Sequence, residues 1–235
     1  MKHLIMTLIG VTLASGLSTA FAAEPNAVEL ERLAANTEGW KEVSCKREIR
    51  CFKRVIPGSP IVAFRGEGVV AAPILTVANV ILDHRRGPEW VDSLEESRLI
   101  RMTGPLTFIE YNHVGMPPLI SDRDFLEAGR VVADGKIGLL DLTLEPTEDA
   151  AVPVGKFVRG NLKGHWNLKS IAGGTQTYVI TEMEADPKGS IPKWIVNLFQ
   201  NGWAQDTLDA LRKQVTKTDL RAIPEVEEIF GKGKN

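Results

Sequence analysis

An abrupt change of hydrophobic period near residue 186 limits what this chain can become. Residues 175–184 alternate with period 2, as a half-buried strand does. Asp186-Pro187-Lys188-Gly189 then breaks the strand. Beyond it Ile191, Trp194, Ile195, Leu198, Phe199, Gly202, Trp203, Leu208, Leu211 and Val215 recur at helical spacing. Ser190 suits the N-cap and Pro192 the first turn, where a missing N–H costs little. A last strand handed directly to a wide-faced helix predicts a helix lying across a curved sheet, an arrangement that can leave an apolar cavity.

The remainder reads mostly as strands joined by short turns. Residues 26–36 predict a first helix, with Asn26 as its cap, Glu29 completing a capping box and Gly39 ending it. Strand-like runs follow at 40–46, 50–56 and 61–70, the last two separated by Pro57-Gly58-Ser59-Pro60. Residues 73–83 change to helical spacing through Ile74, Val77, Val80 and Ile81 and stop at Gly87-Pro88. Further strands are predicted at 97–102, 106–113, 125–132, 137–144, 157–162, 166–171 and 175–184, and residues 220–235 read as a charged tail. Consecutive strands with short turns imply an antiparallel sheet. The expected class is α+β, a helix-grip fold: a curved antiparallel β-sheet gripping a long C-terminal helix around an apolar cavity.

Several of these pieces resemble one family. The strand, the turn Asp186-Pro187-Lys188-Gly189-Ser190-Ile191-Pro192-Lys193 and the helix ending Leu211-Arg212-Lys213-Gln214 are similar to the end of a START domain, the StAR-related lipid-transfer module. Upstream, Val55-Ile56-Pro57-Gly58-Ser59, Ser121-Asp122-Arg123-Asp124-Phe125, and Val158-Arg159-Gly160 before Gly164-His165-Trp166 fall in the family's order. The resemblance covers roughly residues 26–217, and we take 24–219 as the domain. It implies the same helix-grip fold, with a lipid or another hydrophobic molecule held inside and no cofactor.

The candidate ligand contacts are Phe108, Glu110, Arg123, Arg130, Trp194, Leu198 and Phe199. On the final helix, Trp194, Leu198, Phe199 and Trp203 form an aromatic stripe that serves equally well as core wall or cavity wall. On the strand 106–113, alternation places Leu106, Phe108, Glu110 and Asn112 on one face and Ile109, Tyr111 and His113 on the other. A buried Glu110 needs a partner, and Arg123 or Arg130 can supply it. START proteins often carry an acid and an arginine in the cavity. By that resemblance Glu110 takes the acid's place, while Arg130 is displaced by one residue, with Gly129 where alternation wants the arginine; a bulge at Gly129 restores the direction. Arg159 is read as a strand-end ion pair or a ligand contact. His84, His113 and His165 lack metal-ligand spacing and read as exposed imidazoles. The loops 115–120 and 145–156 are the candidate lids.

Residues 1–22 carry Lys2, an apolar run and a closing Ala20-Phe21-Ala22, the pattern of a cleaved secretory signal peptide; a retained anchor is the alternative. Cleavage removes Lys2 and no acid, leaving 27 Lys and Arg against 30 Asp and Glu. That balance gives no basic surface for nucleic acid. Cys45 and Cys51 flank a short loop, and an oxidising compartment favours a disulfide over two buried thiols. The expected function is therefore a periplasmic or secreted monomer that binds and transfers a lipid, with transient contact at a membrane surface. Two other readings stay open: an enzyme on the same scaffold with Glu110 as acid or base, against which stands the lack of G-x-S-x-G and HExxH motifs, and an interaction domain whose interior is filled.

Overall fold

In the computed structural model, which describes residues 38–43, 45–59, 61–189 and 202–231, the period-2 runs become ten strands of one sheet. They are β1 (Lys41–Val43), β2 (Arg50–Val55), β3 (Val62–Val70), β4 (Leu94–Gly104), β5 (Thr107–Val114), β6 (Arg123–Asp134), β7 (Leu139–Pro146), β8 (Val158–Arg159), β9 (Asn161–Ile171) and β10 (Gln176–Asp186). The order across the sheet is β1-β2-β3-β10-β9-β7-β6-β5-β4, all antiparallel, with the two-residue β8 pairing in parallel with β6. The expected strand 157–162 divides between β8 and the start of β9, and β9 runs unbroken through Gly164 into the expected strand 166–171, pairing β10 along its whole length. The helix predicted at 26–36, the signal segment and residues 190–201 lie outside the described residues.

Three helices are described: α1 (Ile74–Leu82), α2 (Trp203–Gln214) and α3 (Pro224–Gly231). The α1 segment is apolar on nearly every side and buries Ile74, Val77, Ala78, Val80 and Leu82. The α2 helix, capped by Gly202, closes over the sheet and buries Ala204, Leu208 and Leu211. These side chains form one core with Val70, Leu140, Leu142, Leu168 and Val179 from one face of the sheet. Residues 220–235, read from their charge as a tail, contribute α3. Val226 is fully buried there, and the Ile223 N–H donates to Asn79 Oδ1 at 3.0 Å. One apolar position per turn is enough to dock a short charged helix.

The seating of α2 on the sheet depends on glycine. A Cβ at Gly66 would lie 3.1 Å from Ala204 Cβ and 3.2 Å from the Ala204 carbonyl oxygen. The bare backbone of β3 thus lets the helix approach more closely than any side chain permits. A second attachment comes from the loop after β1. The Cys45–Cys51 disulfide, with Cα atoms 5.8 Å apart, closes it across the β1–β2 hairpin. Within the loop the Lys46 N–H donates to Gln205 Oε1 (2.7 Å), Arg212 Nη1 donates to the Arg47 carbonyl (2.7 Å), and Arg47 pairs with Asp209 (2.5 Å). The bridge therefore shapes a clasp on the closing helix.

The other face of the sheet has its own small cluster, Ile109, Tyr111, Leu126 and Val152. Val152 belongs to the loop 145–156, so that candidate lid covers this outer face and not the core side. Arg159 fastens it there, with Nε and Nη2 each 3.0 Å from the Asp124 carboxylate and Nη2 donating to the Val152 carbonyl at 3.4 Å.

Two changes test these attachments. Gly66→Val is expected to destabilise the fold by about 1–3 kcal/mol through overpacking against α2, read as a lower denaturant midpoint at unchanged m. Replacing both Cys45 and Cys51 by Ser is expected to cost about 2 kcal/mol for a loop of this length, read as a lower Tm than that of the oxidised protein.

Candidate ligand cavity

Between the sheet and the helices the structure leaves a largely apolar cavity of about 650 Å³. Leu142 and Trp166 form its floor, Ile81 and Leu82 close one side from the end of α1, and Trp203 covers it from the start of α2. Phe108, Glu110 and Asn112 face it from β5, as alternation requires, while Ile109 and Tyr111 turn to the outer cluster. The Phe108 ring lies over Gly129, directly opposite in the β5–β6 register. A Cβ at Gly129 would come within 2.2 Å of the ring.

Glu110 is buried, and its partner is neither expected arginine. His84 Nδ1, from the short 3₁₀ turn His84–Glu89 after α1, lies 2.8 Å from Glu110 Oε2, and the imidazole packs edge-on to Phe108 at 5.0 Å. Arg130 does not line the cavity. Pairing of β6 with β5 and β7 runs without a shift through Gly129, so no bulge exists there, and Arg130 shares the outward side of β6 with Leu126. Arg123 does reach the cavity wall. Its guanidinium donates to the carbonyls of Ser121, Pro187 (3.1 Å) and Lys188 (3.2 Å), which ties the loop 115–122 to the turn that follows β10. Burial lowers its pKa. Trp194, Leu198 and Phe199 lie outside the described residues.

Glu127, directly across from Glu110, lies beside the cavity lining and joins Glu110 and Asn112 in one polar cluster. Asn112 Nδ2 donates to Glu110 Oε1 (3.1 Å) and Glu127 Oε2 (3.2 Å), bridging the two acids. Glu127 is fully buried, and its other oxygen, Oε1, has no partner among the described residues. Desolvation first, and then the neighbouring Glu110 charge, hold the Glu127 carboxyl well above the usual carboxylate range. The Thr181 hydroxyl and the Trp90 indole N–H, both from cavity-lining residues, are likewise buried without partners among the described residues.

At the mouth, Gly115, Met116 and Pro117 of the loop 115–122 border the opening. Asp122 pins this loop by accepting the Met116 N–H (2.9 Å), the main cause of its lowered pKa, and by contacting His113 Nε2 at 3.0 Å. Glu95 approaches the opposite ring nitrogen, Nδ1, at 3.8 Å. Because the two carboxylates address different nitrogens, they clamp the imidazole instead of presenting one lone pair to a metal. None of the three histidines expected at the surface is exposed: His113 is buried, His84 meets Glu110, and His165 Nε2 lies 2.6 Å from the buried Asp141. Periodicity carries a signal for Glu127, which falls two residues from Phe125 on the inward side of β6. It carries none for His84, which the chain delivers from a helix end.

Glu127 gives a pH test. From about pH 4 upward the unfolded chain releases a proton that the folded chain retains, so stability falls with rising pH until the raised pKa is passed. Glu127→Gln is expected to be about as stable as the parent at pH 4 and increasingly more stable toward pH 8. Parallel Tm-against-pH curves for the two proteins would exclude a neutral Glu127.

Comparison with known proteins agrees with this architecture. The family model for the START domain matches residues 20–218. An uncharacterised Pseudomonas aeruginosa protein, PA1579, is 27% identical over 188 residues, covering 78% of this chain and 90% of that one. A STAR-related lipid transfer protein fragment from Xanthomonas axonopodis superposes with a TM-score of 0.68 at 28% identity, covering 77% of this chain and all of that one. Human StAR-related lipid transfer protein 5 shares the fold, with a TM-score of 0.71 at 21% identity over 81% of this chain and 92% of its own. A curved antiparallel sheet, a closing helix, an apolar cavity between them and a family match over most of the sequence lead to one conclusion: the chain belongs to the START domain family.

Proposed function

We propose that this chain is an exported carrier that binds a lipid or another hydrophobic molecule and transfers it through an aqueous compartment, acting as a monomer with no chemical step and no cofactor. One observation carries the reading: the largely apolar cavity of about 650 Å³ under α2. That volume is typical of small-molecule sites. Each methylene taken from water into such a space contributes about 0.8 kcal/mol, so one acyl chain supplies most of the affinity and the polar patch sets orientation. The name of the Xanthomonas relative, a lipid transfer protein, points the same way.

The signal-like pattern of residues 1–22 and the Cys45–Cys51 bridge support export. Leu119, fully exposed in the loop at the cavity mouth, supports brief contact between that loop and a membrane surface during loading and release. The ligand contacts we assign are Phe108 and Glu110 on β5 and Arg123 at the mouth, with Trp194, Leu198 and Phe199, from the sequence pattern, as further contacts.

Native mass spectrometry of the protein purified from its own host tests this. The expected result is a bound species at a lipid's mass that is lost on denaturation. Protein free of any such mass, and also unable to take up a fluorescent phospholipid, fatty acid or sterol, would leave only an interaction domain with an empty or self-filled interior.

A further inference from the structure

We infer that the β5–β6 wall of the cavity selects a ligand head that is uncharged or cationic and donates hydrogen bonds, an alcohol or an amine, and rejects a carboxylate or phosphate. The inference rests on the hydrophobic-ligand reading above and sharpens it to a class of head group.

The patch is rich in acceptors and poor in cations. Glu110 receives one bond on each oxygen, from His84 (2.8 Å) and Asn112 (3.1 Å), and each oxygen of a carboxylate has room for a second. His84 spends Nδ1 on Glu110, and no partner is found for its Nε2 among the described residues. A ligand head that donates a hydrogen bond, as a hydroxyl or an ammonium does, uses the acceptor capacity left on Glu110.

An anionic head meets the opposite situation. Two carboxyl groups already face one another across the β5–β6 register, in a place where charge is weakly screened. The effect is visible in Glu127, which burial and its neighbour keep toward the protonated form. The wider wall adds to this. Among the described lining residues Asp83, Asp92, Glu95, Glu110 and Asp206 are acidic, and Arg123 alone is an arginine or lysine; Glu182 is set aside because it pairs with Arg65 at 2.9 Å. Arg123 is at the mouth and is committed to three backbone carbonyls. It holds the loop and brings no arginine or lysine to the β5–β6 patch, where His84 is the one basic side chain among the described lining residues. Gly129, where an inward cation would stand on β6, has no side chain to offer.

Four probes with one tail length separate the head from the chain: 1-hexadecanol, hexadecylamine, hexadecanoate and hexadecane, delivered to the full-length oxidised protein at pH 8 and followed by the fluorescence of Trp90, Trp166 and Trp203 in the cavity wall. The alcohol and the amine are expected to bind at least about tenfold more tightly than hexadecanoate. Replacing both acids, Glu110→Gln with Glu127→Gln, is expected to narrow that gap by at least about fivefold. If the double variant does not fold, the ranking on the unchanged protein still decides. Hexadecanoate binding as tightly as the alcohol overturns the inference. So does hexadecane binding as tightly as both, although the cavity reading then survives. Failure of all four probes to bind overturns both.

Discussion

The distance between α2 and the sheet is set where the helix meets a backbone with no side chain on it. At Gly66 the Ala204 Cβ and carbonyl approach to the limit of contact, so the helix is fixed against β3 at one end of the concave face. The β5, β6 and β7 strands lie several places away in the same sheet. A helix pressed this close to β3 leaves the far strands, among the described residues, to be covered by their own side chains, the end of α1 and Trp203, and these do not fill the space. The cavity is thus a consequence of helix placement on a curved sheet. The disulfide-closed loop strengthens the same placement, because its backbone N–H at Lys46 and carbonyl at Arg47 hold the side chains of Gln205 and Arg212.

The polar patch imposes the opposite cost. Burying Glu110 and Glu127 side by side gives up stability that two apolar residues would not lose, and the protein limits the loss with one amide, one imidazole and a retained proton. Such groups concentrate at sites of function because packing alone gives no reason to keep them. The outer face of the same strands shows the contrast. There Asp124 is matched by a two-point bond to Arg159, and the cluster of Ile109, Tyr111 and Leu126 is closed by Val152. One face of the β5–β6 pair is finished as structure, while the other is left with donors and acceptors to spare.

Much of this was legible in the sequence, for reasons that differ from element to element. Alternation alone separates Phe108, Glu110 and Asn112 from Ile109 and Tyr111, because a strand has only two faces. The cysteine spacing identified the β1–β2 hairpin because a bridge needs its two strands adjacent. Arg130 shows the limit. Simple counting places it on the outer face, and only an added bulge turns it inward; the sheet keeps its register, and Phe108 takes the room that an inward side chain at residue 129 would need. His84 could not be found in the sequence, since its contact with Glu110 is made across the cavity from a turn with no periodicity of its own. Nor could the docking of α3, where a single buried Val226 outweighs a run of charge.

Gly129 shapes the interior without belonging to its wall. The Phe108 ring rests against bare backbone there, and it can retreat no further. Any side chain at that position would push the ring inward and narrow the chamber from behind. The calibre of the ligand space is therefore governed by an atom that is missing one layer beneath the surface, so relatives with the same visible lining can differ in the size of guest they accept.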